Sequence, residues 1–427
     1  MPFAPKPRLL LLCSKLGYQT RAFADAAEEL GVDVVYGTDR CHVLEDPWRD
    51  QALALHFEDP DGSARSVVAA AAAKPVHAVI AIGDRPTPAA ARVAQALGLP
   101  GHPPEAADLC RDKYRSRERL KASGLSVPSF QRFRLDEDPA GIAEGLKYPC
   151  VVKPIALSGS RGVIRADNSK GFVAAFERVR RLLAGAEIKA LREDTSEFVQ
   201  VEDYIDGAEV AVEALLERGR LHVLAIFDKP DPLTGPYFEE TIYVTPSRLP
   251  DGIQESVMRA LDASVRALGL YHGPVHAEFR LASGRVYVME VAARCIGGLC
   301  ARALRFRFPL VKQEMSLEEV LVRLALGNEV KRVVREDRAS GVMMIPIPKG
   351  GFYEDVRGVQ YAMAVPGIFD LEITAKPQQK LVPLPEGSSY LGFIFAREQT
   401  PELVVQALRE AHGKLEFVVA AELPIVK

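Results

Sequence analysis

The chain has 427 residues, of which 48% are hydrophobic and 26% charged, so it is long enough to fold as two or three domains around a sizeable core. Its net charge of -3 gives no basis for a nucleic-acid or anionic-membrane partner, since either would favour a basic excess. The two most apolar stretches, 9–13 and 67–73, are far shorter than the roughly 20 residues of a membrane-spanning helix.

The N-terminus and the cysteines predict a cytoplasmic protein. Residues 1–15 have a basic and then apolar order, but the apolar part is short and no small-residue cleavage site follows, which favours a buried first strand over a signal peptide. The cysteines show neither CxxC spacing nor a dense framework, so we expect reduced thiols. They are Cys13, Cys41, Cys110, Cys150, Cys295 and Cys300.

The first predicted domain spans residues 1–104 and alternates short β-runs with helical segments. RLLLLCSK, VDVVYGTD and HAVIAIGD predict strands, while AFADAAEELG and TPAAARVAQALG predict helices. This order is typical of a parallel, Rossmann-like α/β unit. No GxGxxG fingerprint follows the first strand, which argues against a dinucleotide site there.

The second predicted domain spans residues 105–335 and has a less regular order, which predicts an α+β fold. A helix in CRDKYRSRERLKASG and a linker in SVPSF precede a smaller lobe at about 126–200, which contains the strands YPCVVKP and GVIRAD. Further strands are predicted at 197–205 and 209–215.

The third predicted domain, residues 336–427, is a C-terminal α+β lobe. YLGFIFA, a helix beginning at Thr400-Pro401, and LEFVVA form a β-α-β return that predicts a small ferredoxin-like or split-βαβ module. Ahead of this domain, Ser316 and Glu319 predict a capping box for the helix LEEVLVRLALG.

Two acidic residues are predicted to face each other in the segment GPVHAEFRLASGRVYVMEVAARCIGG. GPVHAEFRL alternates strictly and RVYVMEV is a second β-prone run, so a turn at Ser283–Arg285 would place Glu278 and Glu290 directly opposite on one face. Like charges so placed repel unless a cation lies between them. The pair suits a hard cation such as Mg²⁺, and the alternative is two solvent-facing acids on a distorted hairpin.

Three other segments carry groups suited to a nucleotide. Lys153 ends a strand and precedes the loop SGSRG, whose backbone N–H groups can surround an anion, although no GxxxxGK[ST] loop occurs in the chain. Lys113 lies in a helix that follows Asp112. In VQVEDYIDGAEVAVEAL, Glu202 closes an apolar strand and Glu209 follows a tight turn, where exposed backbone can bind an adenine edge.

Each of these segments also has an ordinary structural interpretation when taken alone. The loop could be a flexible hairpin connection, the first lysine a surface residue, and the two acids the solvated ends of a hairpin. Taken together in this order, however, the lysines, the glycine loop, the backbone that can bind an adenine edge and the carboxylate pair match the parts of one ligand, Mg-ATP.

The arrangement resembles the ATP-grasp superfamily over most of the chain. The motifs that carry the resemblance are Lys113, Lys153 with SGSRG, VEDYIDGAE, and AEF with VMEVAAR. SGSRGVIRA, DPLTGPYFEETIYVTPS, EVAARCIGG and YLGFIFAREQTPE are most similar to the L-amino-acid ligase group, which are carboxylate–amine ligases that make dipeptides or related amides. The resemblance implies an N-terminal pre-ATP-grasp α/β domain, a bipartite ATP-grasp domain and a C-terminal α+β lobe.

The resemblance also implies roles for individual residues. The phosphates of ATP would be held by Lys113, Lys153 and the loop residues Ser158, Gly159, Ser160 and Gly162. The adenosine would be bound by Glu202 at the adenine amino group, by Tyr204 and Ile205 along the adenine slot, and by Glu209 at the ribose. The ligands of Mg²⁺, or of Mn²⁺ in its place, would be Glu278 and Glu290. The catalytic residues would be Lys153, Arg294 at the reacting carboxylate and γ-phosphate, and Glu240 at the substrate amino group.

The implied reaction activates a carboxylate as an acyl phosphate, with release of ADP, and an amine then displaces phosphate to form an amide. Arg294 and the backbone N–H groups of Gly297-Gly298 would stabilise the oxyanion. His276 is either a base for the incoming ammonium or a structural histidine. Cys295 and Cys300 are expected to be packing residues.

Two alternatives remain for function. One is an ATP-grasp ligase that joins an amine to a non-amino-acid carboxylate in secondary metabolism. The other is a nucleotide-binding protein without turnover, because Ala292 stands where many ATP-grasp enzymes have a metal-binding Asn. The expected partners are small-molecule acids and amines. We also expect a homodimer, because two-fold dimers are the commonest assemblies of soluble proteins.

Overall fold

We describe the protein from a computed structural model. The structure describes residues 6–14, 18–39, 52–309, 311 and 313–422. Within these residues, no helix combines the length and the apolar character needed to cross a bilayer.

The N-terminal part of the chain forms a parallel sheet with helices on both faces. Its elements are β1 (Arg8–Cys13), α1 (Tyr18–Glu29), β2 (Asp33–Thr38), β3 (Ala52–Ala54), α2 (Pro60–Ala71), β4 (Ala78–Ile82) and α3 (Thr87–Ala96). The strand order is β3-β2-β1-β4, and each pair is parallel. The predicted α/β unit is confirmed.

Strand β1 is apolar at successive positions because both faces of this sheet are covered. Leu9 and Leu11 pack into the core cluster that contains α1 and the later helix at 317–325. Leu10 and Leu12 pack on the opposite face against α2 and α3. A strand that is buried on both faces carries apolar residues at successive positions instead of alternating polar and apolar ones.

Two short helices, α4 (Pro104–Arg111) and α5 (Lys113–Ala122), replace the single helix expected from the sequence. Asp112 separates them: its backbone is extended, with φ -102° and ψ 104°, and its side chain accepts a hydrogen bond from the N–H of Arg115 at 3.0 Å. This N-cap starts a new helix, so the lysine after Asp112 lies in the first turn of α5.

A four-stranded antiparallel sheet and its helices form a small lobe. The elements are β5 (Phe130–Arg134), α6 (Pro139–Ala143), β6 (Cys150–Pro154), β7 (Ile164–Ala166), α7 (Ser169–Leu183), α8 (Ala186–Lys189) and β8 (Phe198–Asp203), in the strand order β5-β8-β6-β7. Helix α7 buries Phe172, Phe176 and Val179 against this sheet.

The central part of the chain supplies most of a second, larger sheet. Its elements are β9 (Ala208–Glu217), β10 (Arg220–Asp228), β11 (Ile242–Thr245), α9 (Asp251–Leu268), β12 (Gly273–Ala282), β13 (Arg285–Ala292), β14 (Phe306–Arg307), α10 (Leu317–Ala325) and β15 (Val334–Arg335). The capping box predicted ahead of α10 is confirmed, because the Ser316 and Glu319 side chains each bind the backbone N–H of the other.

The C-terminal region extends this large sheet and adds a small one. Its elements are β16 (Ala339–Ile345), β17 (Gly351–Arg357), α11 (Val359–Met363), β18 (Ile368–Ile373), β19 (Lys380–Leu381), β20 (Gly392–Glu398), α12 (Pro401–His412) and β21 (Glu416–Ala420). The large sheet has the order β13-β12-β9-β10-β11-β16-β20-β18, and the small one has the order β19-β17-β21.

The predicted ferredoxin-like β-α-β return at the C-terminus is wrong, because β20 and β21 lie in different sheets. Strand β16 is buried at each of its residues and needs a partner on both edges, which β11 and β20 supply. Helix α12 then covers the large sheet with Val404 and Leu408.

The described cysteines are free thiols, as the sequence predicted. They are Cys13, Cys110, Cys150, Cys295 and Cys300. Cys41 lies outside the described residues.

His102 joins the N-terminal region to strand β12 through a neutral imidazole. Its Nε2 donates to the carbonyl of Pro274 at 3.0 Å, and its Nδ1 accepts from the backbone N–H of Tyr271 at 3.2 Å. Burial lowers the pKa of His102 to about 4. The folded protein therefore disfavours the protonated ring, which could not accept the second hydrogen bond.

Replacing His102 with glutamine should flatten the pH dependence of stability. The unfolded chain protonates this histidine below its ordinary pKa of 6.5, so its stabilisation is complete above that pH and is lost as the pH falls toward about 4. Between about pH 7.5 and 5.5 the free energy of unfolding should fall by roughly 1 kcal/mol more in the wild type than in the variant. Urea unfolding at both pH values measures this difference.

The matched control is His77→Gln, since His77 is an exposed histidine of the same region. His102→Gln should show a shallower pH dependence than this control. Identical slopes for the wild type and His102→Gln would contradict the assignment.

Candidate active site

Glu278 and Glu290 are directly paired across the β12–β13 hairpin, as the sequence predicted, but the turn differs from the predicted one. The turn has two residues, Ser283 and Gly284, with φ values of 50° and 71°, as a type I′ hairpin requires. This turn alone would pair Glu278 with Met289. Met289 instead forms a β-bulge, and the extra residue brings the two acids opposite each other.

Arg117 connects this bulge to a buried carboxylate in the small lobe. Its guanidinium donates to the carbonyl of Met289 and, through Nε, to Oε1 of Glu202 at 2.7 Å. Glu202 also accepts from Lys153 Nζ at 2.5 Å and from the Gln200 amide at 2.6 Å. The register of the acidic hairpin and the position of Lys153 therefore depend on one network.

Glu202 is ionised in this network. Burial by itself raises the pKa of Glu202, but Arg117 and Lys153 together lower it well below its usual range. Burial lowers the pKa of Lys153, while Glu202 opposes that shift. Two cations for one carboxylate make the ionised form the stable one. The carboxylate that was predicted to meet the adenine amino group is thus bound by three side chains.

Lys113 lies between the glycine loop and the acidic hairpin. Its Nζ donates to the carbonyl of Leu157 at 2.8 Å and lies 3.5 Å from Oε1 of Glu290. The loop that follows Leu157 includes the predicted residues Ser158, Gly159, Ser160 and Gly162, of which the last three have positive φ values of 64°, 53° and 76°. Such a backbone can present successive N–H groups to an anion.

Lys229 is a central site residue that the sequence analysis missed. Its ammonium group donates to Glu209 at 2.7 Å, to Glu278 at 3.2 Å and to Glu240, and its side chain is 3% exposed. Burial lowers the pKa of Lys229, but the three carboxylates raise it well above its usual range. A signal was present, because Lys229-Pro230 directly follows a largely apolar strand and Lys153-Pro154 ends another.

The predicted adenosine-binding segment is fixed by Arg280. Its guanidinium donates to Glu209 at 2.6 Å and to the carbonyl of Ile205 at 2.7 Å. The guanidinium of Arg165 covers the ring of Tyr204, with its carbon 4.2 Å from the ring centroid. Arginines therefore hold this segment in place from two sides.

His276 lies between two carboxylates, which favours the structural interpretation over the catalytic base. Its Nδ1 donates to Glu213 at 3.1 Å, and its Nε2 lies 3.7 Å from Glu278. Burial lowers the pKa of His276, but the two acids raise it to about 9. At neutral pH the imidazole carries a proton on both nitrogens, so it has no lone pair with which to accept one.

Arg294 is held by Asp84, a residue of the N-terminal region that the sequence analysis did not select. Two guanidinium nitrogens donate to the two carboxylate oxygens at 2.8 Å and 3.1 Å. Burial raises the pKa of Asp84, but Arg294 lowers it to about 2. Asp84 follows β4 at the carboxyl edge of the parallel sheet, where the strand order reverses and where α/β proteins place ligand-binding groups.

The turn after Arg294 packs into the core at Cys295 and Ile296, whereas Gly297 is exposed. The N–H of Ile296 donates to Glu213 at 3.1 Å, and Gly298 has a φ of 63° beside the ring of Phe393. Cys295 and Cys300 are buried here, and burial raises the pKa of both thiols. Both cysteines pack as expected.

The acidic hairpin fits a hard divalent cation, because its donors are carboxylate oxygens. Oxygen atoms of Glu209, Glu240 and Glu278 lie within 4.8 Å of one another, a group that shares Glu278 with the hairpin pair but does not include Glu290. In this structure, however, lysines offset the repulsion: Glu278 contacts Lys229, and Glu290 lies beside Lys113. The metal site at the two acids stays a prediction.

Three families match successive parts of the chain. Residues 24–101 match the ATP-grasp N-terminal domain, residues 146–303 match an ATP-grasp domain, and residues 343–420 match the L-amino acid ligase C-terminal domain 2.

Two ligases are among the proteins whose sequences are similar to this chain. Alanine–anticapsin ligase of Bacillus subtilis is 28% identical over 295 residues, which cover 65% of this chain and 62% of that protein. D-alanine–D-alanine ligase of Aromatoleum aromaticum is 29% identical over 189 residues, which cover 44% of this chain and 57% of that protein. The chain spans 46% to 62% of the length of four curated relatives from Sinorhizobium, Aspergillus and Bacillus.

The crystal structure of L-amino acid ligase from Bacillus licheniformis superposes with a TM-score of 0.78 and 26% identity, over 97% of this chain and 99% of that chain. This likeness includes the N-terminal sheet, both lobes around the acidic hairpin and the C-terminal region. The chain therefore contains an ATP-grasp N-terminal domain and an ATP-grasp domain, followed by a domain that matches the L-amino acid ligase C-terminal domain 2.

Proposed function

We propose that the protein is an ATP-dependent carboxylate–amine ligase that forms an amide bond through an acyl phosphate and takes an L-amino acid as a substrate. One observation carries the proposal. The paired acids Glu278 and Glu290 are each contacted by a lysine, Lys229 from the large sheet and Lys113 from α5. A cleft with acids for a metal and lysines for phosphates suits a metal–triphosphate complex.

The phosphates of ATP would lie among Lys113, Lys153, Lys229 and the backbone of the glycine loop. Phosphoryl transfer needs chiefly positioning and neutralisation of charge, which these cations supply. Glu278 and Glu290 would hold the Mg²⁺ that accompanies ATP, and this ion would contribute further neutralisation of the phosphate oxygens. Mn²⁺ is an alternative ion with the same oxygen donors.

We assign to Glu202 the positioning of Lys153 rather than contact with adenine. Its carboxylate already accepts from Lys153, Arg117 and Gln200, so three of its roughly four lone-pair positions are taken by groups of the protein. The backbone after β8, together with Tyr204 and Ile205, remains the proposed adenine slot, and Glu209 the proposed ribose ligand.

The acid substrate would lie near Arg294. A substrate carboxylate oxygen attacks the γ-phosphorus of ATP, the bond to ADP breaks, and an acyl phosphate forms. The amine nitrogen then attacks the acyl carbon, phosphate leaves, and the nitrogen loses a proton to solvent. Arg294 would stabilise charge in both steps, because Asp84 fixes the plane of its guanidinium.

Glu240 remains the proposed ligand for the substrate ammonium group. Its carboxylate now accepts from Lys229 and from the Tyr243 hydroxyl at 2.8 Å. Burial raises the pKa of Glu240, and Lys229 opposes that shift. A substrate ammonium could take the place of the lysine once phosphates attract Lys229.

The reaction is tested by measuring ADP and phosphate release with ATP and Mg²⁺ in the presence of L-amino acids, singly and in pairs. We expect release that needs both an acid and an amine, with an amide product of the corresponding mass. Non-amino-acid carboxylates tested with the same amines distinguish the alternative ligase. Binding of ATP without release in any combination would instead indicate a nucleotide-binding protein without turnover.

Replacing Glu290 with glutamine should remove a charged metal ligand at nearly constant volume. We expect Mg²⁺-dependent ADP formation to fall by about 10²-fold or more, since metal ions supply several kcal/mol of charge stabilisation. The matched control is Glu354→Gln, an exposed acid on β17. Wild-type turnover in Glu290→Gln, with both variants folded, would refute the metal assignment.

Replacing Asp84 with asparagine should slow the reaction without weakening ATP binding. The amide leaves one guanidinium nitrogen of Arg294 without its acceptor, so the side chain is less well oriented, and we expect kcat to fall about 10-fold to 100-fold. The control is Asp61→Asn, which breaks an Asp–Arg pair in the same region, where Asp61 and Arg92 lie 2.9 Å apart. Calorimetry with ATP and steady-state kinetics separate the two effects. Equal losses in kcat and ATP affinity would contradict the assignment.

A further inference from the structure

A segment of the C-terminal region contacts the glycine loop of the small lobe. We call residues 383–388 the clamp segment. The N–H of Gly162 donates to the carbonyl of Pro385 at 2.7 Å, and Nε of Arg161 donates to the carbonyl of Glu386 at 2.8 Å. A Cβ atom on Gly159 would lie 3.5 Å from the Cβ of Ser388. The clamp segment therefore touches both arms of the loop.

The side chain of Glu386 ties the same segment to helix α7. Its two carboxylate oxygens accept from Nε and Nη2 of Arg178 at 2.5 Å and 2.9 Å. The third guanidinium nitrogen, Nη1, donates to the hydroxyl of Tyr237. Tyr237 lies three residues before Glu240, the proposed ammonium ligand. Arg178 thus connects the clamp segment, the small lobe and the irregular segment that carries Glu240 ahead of β11.

The shape of the clamp segment depends on Gly387. A Cβ atom at this position would lie 1.7 Å from the carbonyl oxygen of Val382, which is far inside any permitted contact. The N–H of Gly387 donates to the carbonyl of Pro383 at 2.9 Å, which closes the turn. Only glycine fits this turn, so the carbonyls that face the glycine loop are held at fixed positions.

The Glu386–Arg178 pair is half-exposed, with side-chain exposures of 38% and 37%. Ion pairs this accessible to water contribute little to overall stability. The geometry is nevertheless specific, because both carboxylate oxygens and two guanidinium nitrogens take part. The pair is therefore suited to fixing the position of one lobe relative to another rather than to holding the fold together.

We propose that the clamp segment holds the glycine loop in the closed position over the phosphates of ATP, with Glu386 as the positioning residue. The identity of the phosphates rests on the proposed function, while the anchoring of the loop does not. The small lobe cannot move away from the C-terminal region without breaking the contacts at Gly162, Arg161 and Arg178. Loss of the clamp should therefore open the loop and admit water to the acyl phosphate.

The experiment compares Glu386→Gln and Gly387→Ala with the wild type by hydrogen exchange of the glycine loop, residues 158–162, in the full-length protein without nucleotide. Both variants should exchange faster in this loop, with unchanged exchange in the core of the large sheet. The matched control is Glu187→Gln. Glu187 also contacts Arg161, at 3.3 Å, but belongs to the small lobe and cannot link it to the C-terminal region.

Steady-state kinetics supply the second readout. In Glu386→Gln the KM for ATP should rise about two- to fivefold, because an exposed ion pair contributes only a small free energy. ADP should also form in excess over the amide product. Loop exchange at the wild-type rate in both variants, or an equal increase in Glu187→Gln, would overturn the proposal. Faster loop exchange in a protein that binds no ATP would support the clamp and refute the proposed function.

Discussion

The ionised carboxylate of Glu202 is the interaction on which the rest of the site depends. A buried charge is costly unless it is paired and hydrogen-bonded, so Glu202 must keep Lys153 and Arg117 close. Arg117 in turn binds the carbonyl of Met289, which forms the bulge that brings Glu278 and Glu290 opposite each other. One buried acid therefore fixes a proposed phosphate-binding lysine and the register of the proposed metal-binding hairpin.

Acids and lysines of the cleft lie beside one another, so the charges named here have neighbours of opposite sign. Lys229 contacts Glu209, Glu240 and Glu278, while Lys113 lies beside Glu290. This pairing explains how a cleft rich in acids and lysines is stable before any ligand binds. A metal–nucleotide complex carries both signs, so it can exchange partners with both sets of side chains without leaving either set unpaired.

All three regions of the chain supply groups to the site. The N-terminal sheet places Asp84 against Arg294, the two lobes around the cleft carry the lysines and acids, and the C-terminal region places Glu386 against Arg178. The large sheet runs continuously from β13 to β18, so the C-terminal strands are a rigid extension of the surface that bears the acidic hairpin. The small lobe is then positioned against both neighbours by side-chain contacts.

The sequence by itself determined the parallel N-terminal unit, the caps that begin α10 and α12, and the order of the charged motifs, because these follow from local periodicity and capping chemistry. It also placed Glu278 opposite Glu290, although with the wrong turn, since a bulge leaves no mark in an alternating pattern. Only the tertiary structure decided that β20 and β21 lie in different sheets and that Asp84 binds Arg294. The partners of a buried charge are chosen by desolvation at contacts between residues distant in the chain, and no local pattern contains that information.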